Sequence, residues 1–278
     1  MASQSPFKKI LDFIIYSNLF IAAGVACFTL QTALIFPIHT QRIEEFSILN
    51  FITTFVLYNL QRLYYASHEN VNAKYNWYTA NRRLIFTLMV LLVMCFFARL
   101  LDFFLQHPDY FLGYLLLAVL SVFYFLPPLQ LRKYGVLKPF IIAFVFVCTA
   151  ILLPLYNELT PELWIYATGQ FCFIAALCLL FDVKDLQNDL EIRLLSFPVK
   201  FGLTSTKYLT LFFLALYAGS AVFTNNLTVV LSYLAVIIPG FLFTLFLKPD
   251  RHVYFYFFLI DGLILLQYFV LQYLIGIM

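Results

Sequence analysis

The chain has 278 residues, 63% of them hydrophobic and only 11% charged, with a mean hydropathy of +0.91. A soluble domain carries about 25% charged residues, so the composition excludes a water-soluble globular protein and points to an all-α, polytopic bundle of transmembrane helices. The formal net charge is only +3; the placement of the charges says more than their sum, and no nucleic-acid partner is expected.

In chain order, apolar runs predict nine spans, at about 10–37, 48–66, 84–104, 111–127, 138–157, 162–182, 207–224, 227–247 and 253–275. Turn signals separate them: His107-Pro108-Asp109, Pro127-Pro128, Asn157-Glu158, Asn225-Asn226 and Lys248-Pro249-Asp250. The first run is too long and persistent for a cleaved signal peptide, and no small-residue cleavage pattern follows it. No soluble domain fits between the spans, so 1–278 reads as a single membrane-embedded domain.

Basic residues alternate in side. Lys8 and Lys9 precede the first span, and Lys74, Arg82 and Arg83 follow the second. Arg132, Lys133 and Lys138 follow the fourth, Lys184, Arg193, Lys200 and Lys207 the sixth, and Lys248 and Arg251 the eighth. The alternate connections hold only Arg42, with Arg99 near one span end. The positive-inside rule then predicts a cytoplasmic N-terminus, an outside C-terminus and a location in the cell inner membrane. The polar stretches 67–83, 128–137 and 183–206 all fall on the cytoplasmic side. Polar groups collected from several loops on one side suit a substrate with a polar head in water and a tail in lipid.

The five cysteines lie inside apolar runs without metal-ligand spacing and read as packing residues. Asn18, Asn59 and Gln170 are polar within spans, as cavity-lining groups or as interhelical hydrogen-bond partners. Arg99 and Asp102 are spaced to pair along one helix. His68-Glu69-Asn70 reads as a solvated loop or a proton acceptor. Asp261 sits early in the last span and has no evident partner in sequence.

The chemically densest stretch is Asp182-Val-Lys-Asp-Leu-Gln-Asn-Asp189. On a helix Asp182, Asp185 and Asp189 fall within about 60° of one another. Three carboxylates on one face repel unless something positive sits among them, most simply a hard divalent cation. The stretch is therefore either a Mg²⁺–phosphate site at a helix end or a solvated acidic terminus.

From Phe181 the chain reads FDVKDLQNDLEIRLLSFPVKFG. This resembles the second aspartate-rich motif of the UbiA superfamily of intramembrane prenyltransferases. Asp182, Asp185 and Asp189 match the acids and Arg193 falls in the following turn. Ser196, Pro198, Val199 and Gly202 match the Thr/Ser-x-Pro-Val-x-x-Gly ending, with Ser shifted by one. Earlier, Tyr124, Pro127 and Pro128 match the family's Tyr-Ser-x-Pro-Pro-x-x-x-Lys segment, with Phe125 for the Ser and Arg132 for the Lys. The first motif departs from the family. Asn59 fits, but the acid positions read Leu60, Leu63 and Ser67, and Arg62 stands among them.

The resemblance implies transfer of a prenyl group from a polyprenyl diphosphate to an aromatic or quinone-precursor acceptor, within membrane lipid. It implies Mg²⁺ at Asp182, Asp185 and Asp189 as the catalytic and metal residues. Asn59, Arg62, Tyr124, Arg132, Lys138, Lys184 and Arg193 are the implied substrate contacts, with Arg62 either replacing the missing metal at the diphosphate or pairing with the acids. The other reading is a non-catalytic protein of the same fold that binds a lipid or quinone or serves as a partner subunit. Retained acids at 182–189 favour the first; lost acids at 60, 63 and 67 favour the second.

Overall fold

The structure is a computed structural model that describes residues 5–36, 40–65, 73–224 and 226–277. Every regular element among them is helical. The helices are α1 (Pro6–Tyr16), α2 (Leu19–Ile35), α3 (Thr40–Tyr65), α4 (Ala73–Gln106), α5 (Pro108–Phe125), α6 (Lys138–Val147), α7 (Pro161–Lys184), α8 (Leu186–Glu191), α9 (Phe197–Val222), α10 (Leu227–Leu245) and α11 (Asp261–Ile277). Local sequence explains most of the starts. Proline stands in the first turn of α1, α5, α6, α7 and α9, where its missing N–H costs nothing. Ser5, Thr160 and Asn226 cap α1, α7 and α10 by accepting from backbone N–H groups one turn in.

Each of the nine expected spans falls on a helical segment. Five segments are long and apolar enough to cross a bilayer, and a sixth is added when α1 and α2, bent by 60° at their junction, count as one span. Nine is therefore an approximate number. The chain is a multi-pass integral membrane protein. Helix association in lipid rests on close packing and polar contacts rather than on water exclusion, and both occur here. A Cβ on Gly169 of α7 would lie 2.0 Å from Ser220 Oγ of α9, so the two helices approach as only glycine allows.

α7 is the central column: 72% of its apolar stretch is buried, against 11% for α4. It packs on α6 and α9; α9 packs on α10, α10 on α11, α11 on α2 and α2 on α3. α4 and α5 flank α3 and present apolar side chains such as Phe86, Met94, Leu112 and Leu116 outward. The bend between α1 and α2 is set by Asn18, in the left-handed region at φ 64°. Asn59 of α3 holds it. Its Oδ1 accepts from Asn18 Nδ2 at 3.1 Å, and its Nδ2 donates to the Ser17 carbonyl at 3.0 Å.

One expected pair is replaced. Arg99 bonds across the helix interface to Glu45 of α3 at 2.8 Å, while Asp102 accepts from Gln106. A carboxylate presented by a neighbouring helix competes well with one on the same helix, where an i, i+3 pair is worth only a few tenths of a kcal/mol (~0.2–0.5).

Candidate functional site

A cavity of about 620 Å³ runs into the bundle between α1–α2, α3, α5, α6, α7 and α11. At its basic end it is lined by Arg62, Arg132, Lys138, Lys184 and Arg251, with Asp182, Asp185 and Glu191 among them. Beside these charges the wall carries Phe20, Tyr58, Tyr124, Phe181 and Phe257, with Lys184 Nζ 4.9 Å from the Phe257 ring, and further along the helices it carries Leu117, Ile142, Val145 and Ile174. The floor is a polar knot in which Tyr114 Oη donates to Asn50 Oδ1 at 3.0 Å and contacts Thr53 Oγ1 at 2.6 Å.

The acidic stretch is not one helix. α7 ends at Lys184, Asp185 caps it, and the chain turns into the short α8. Asp182 and Asp185 therefore face the cavity, whereas Asp189 is fully buried and does not line it. Lys138, at the start of α6, sits against both cavity-facing acids: its Nζ is 2.7 Å from Asp182 Oδ1 and 3.8 Å from Asp185 Oδ2. Lys184 pairs with Asp185 as well. Burial pushes the Asp185 carboxyl up, but Lys184 and Lys138 outweigh it and hold it down at about 2. Asp189 goes the other way: burial raises its carboxyl, with Lys138 and the Ser196 hydroxyl opposing in part.

The other expected residues divide. Arg62, Tyr124, Arg132, Lys138 and Lys184 line the cavity. Asn59 does not; it is fully buried and spends its amide on the α1–α2 junction and the Phe55 carbonyl. Arg193 is exposed, at φ 55°, in the turn that closes α8. Asn18 and Asp261 do line the cavity; Gln170 instead bonds Tyr233 in the opposite half of the bundle. Of the first-motif positions, Leu60 is 40% exposed and Leu63 packs beside Phe55 and Met89, so neither faces the cavity; Ser67, like His68-Glu69-Asn70, lies outside the described residues. The face of α3 turned inward carries Tyr58, Gln61 and Arg62.

Sequence reasoning missed Tyr58, Gln61, Gln187, Asn188, Glu191 and Arg251. The signal for three of them was available: 187, 188 and 191 share the polar face of α8 at helical spacing. Two loops are locked behind the mouth. A Cβ on Gly135 would lie 2.5 Å from the Leu195 carbonyl and the Ser196 nitrogen, so the 128–137 connection lies directly on the 194–196 turn.

The donor set suits one hard divalent cation. Asp182 and Asp185 face one space, and Asp182 Oδ2 is buried with no hydrogen-bond partner among the described residues. Among those residues no three His, Cys, Asp or Glu side chains gather as a metal-holding group.

No family model and no curated protein matches the chain. Among solved structures, one described as digeranylgeranylglyceryl phosphate synthase in membranes, an intramembrane prenyltransferase of the UbiA superfamily, superimposes on it with a TM-score of 0.55 at 12% identity. The match covers 97% of this chain and 98% of that one. The fold is UbiA-like. In this UbiA-like bundle parts of the segments that resemble the superfamily's motifs, 124–132 and 182–191, line one cavity, the 192–202 ending does not, and the first-motif region contributes Tyr58, Gln61 and Arg62 but no acid.

Proposed function

We propose that the chain transfers a prenyl group from a polyprenyl diphosphate to a hydrophobic acceptor, an aromatic ring or quinone precursor. The observation that carries this reading is the cavity itself: a charged mouth opens directly into an aromatic and apolar depth, so one ligand can place a diphosphate in the first and an isoprenoid in the second. Asp182 and Asp185 would hold one Mg²⁺, which supplies positive charge to the leaving diphosphate. Arg62, Arg132, Lys138 and Lys184 bring fixed cations to the same place, and their positions before the bond breaks avoid a reorganisation cost during it. Phe20, Tyr58, Tyr124, Phe181 and Phe257 keep water from the allylic fragment and offer it aromatic faces. The basic mouth lies at the cytoplasmic face, with the N-terminus on that side and the C-terminus across the membrane.

Purified protein incubated with labelled geranyl, farnesyl and geranylgeranyl diphosphate, with and without Mg²⁺, should release diphosphate. Arg62→Ala should weaken diphosphate binding by tenfold or more, about 1.4 kcal/mol. Unchanged affinity in that variant removes Arg62 from the site.

A second reading, a non-catalytic lipid- or quinone-binding protein or partner subunit, is favoured by the Lys138–Asp182 pair, which already neutralises the buried acid. It expects binding of a prenyl diphosphate or quinone with no release under any condition.

A further inference from the structure

Asp261 is the one acidic residue of the cavity lining that belongs to neither the 182–191 stretch nor the positions carrying a family resemblance. It is the first residue of α11 and is 9% exposed. A six-residue π-helical turn, Phe255–Ile260, runs directly into it. Such turns carry an extra residue and re-aim the side chains that follow; here they bring a carboxylate into an otherwise aromatic wall. A charge at this depth in a membrane helix is costly and marks a functional position.

Its surroundings locate it along the cavity. Tyr58 lies within electrostatic reach of Asp261, of Arg62 and of Cys178. Cys178 lies within reach of Asp261 on one side and of Asp182 and Lys138 on the other, and it precedes Asp182 by one helical turn. Asp261 therefore stands just inside the charged mouth. Phe257 and Phe181, 5.6 Å apart, and Phe20, stacked on Phe258 at 5.3 Å, line the same zone or flank it.

Resting on the prenyl-transfer reading above, we infer that Asp261 is a catalytic residue whose carboxylate stabilises the positive charge that forms on the donor when its C1–O bond breaks. In that step the bonding pair leaves with the diphosphate, held at Arg62, Arg132 and Lys138. The allylic fragment is left with one positive charge, opposite the single negative charge of Asp261 and between aromatic faces. The ligand class is a prenyl cation or a stable mimic of one.

The test uses the full chain in lipid nanodiscs and calorimetry with three probes: inorganic diphosphate, farnesyl-trimethylammonium, and the uncharged isostere with tert-butyl in place of trimethylammonium. Wild type should bind the ammonium at least tenfold more tightly than its isostere. Asp261→Asn should abolish that preference and leave diphosphate affinity unchanged; Asp261→Glu should keep most of it. Equal affinity of wild type for the two farnesyl probes overturns the inference, even where the Asn variant fails to fold. A preference that survives Asp261→Asn overturns it as well and leaves the prenyl-transfer reading standing if diphosphate binds. A preference that depends on Asp261, in a protein that binds no diphosphate, upholds a cation site and removes the prenyl-transfer reading.

Discussion

Asn59 and Asp185 show how far a residue type alone determines a role. Asn59 matches a motif position, yet its amide joins α3 to the α1–α2 junction, and its own carbonyl accepts from Tyr78 of α4 at 3.0 Å. Asn59→Ala strips partners from the buried Asn18 amide and Ser17 carbonyl and should destabilise the protein by about 1–3 kcal/mol, read as a lowered unfolding temperature in detergent. Asp185 offers a pH test. Its folded-state carboxyl is held at about 2, below its ordinary value of 3.8. The stability it contributes is then complete above that ordinary value and lost as pH falls through about 2. The difference in unfolding temperature between wild type and Asp185→Asn should shrink steadily from pH 5 to pH 2. A difference that stays constant over that range removes the Lys138 and Lys184 pairing as its source.

At the level of the helix, the most instructive position is Gly202, the last residue of the Pro-Val-x-x-Gly ending. It interrupts α9 at φ 82° and ψ 165°, a region only glycine occupies without strain, and Thr206 Oγ1 donates to its carbonyl at 2.9 Å. Nothing would obstruct a Cβ there, so Gly202→Ala should cost about 1–3 kcal/mol from backbone strain alone. Gly135→Ala is the converse. Its backbone is ordinary but its Cβ would press on Leu195 and Ser196, so the two loops behind the mouth must part; diphosphate binding should weaken by about tenfold or more. Elements of this kind were legible in sequence where periodicity, proline starts and turn residues agreed, and each expected span lies on a helix. The acidic stretch was legible as chemistry but not as shape. The helix breaks at Asp185, and Asp189 is buried outside the cavity lining while staying within electrostatic reach of Lys138 and Asp185. The first motif failed by register. The inward face of α3 is 58, 61 and 62 rather than 60 and 63, a rotation that apolar composition on every side of a membrane helix cannot reveal.

Over the whole molecule, α7 binds the bundle together while α4 and α5 stand at its edge. The sidedness expected from lysines and arginines is open to direct measurement. In a background without native cysteines, a cysteine at Lys200 should be labelled by an impermeant reagent only from the cytoplasmic side, and one at Glu162 only from the opposite side. Reversed labelling inverts the orientation and with it the compartment that supplies the diphosphate. The edge has another effect. α5 lines the cavity from Tyr114 to Phe125, and α6 lines it from Lys138 to Phe146. Yet α5 meets this neighbouring stretch of chain chiefly at its two ends, through the Leu131–Lys133 turn and the π turn at Cys148–Leu152. The wall between α5 and α6 is thus joined mainly at its ends rather than along its length. On the prenyl-transfer reading, a hydrocarbon longer than the cavity is then expected to pass between α5 and α6 towards the bilayer, so selectivity for tail length should be shallow.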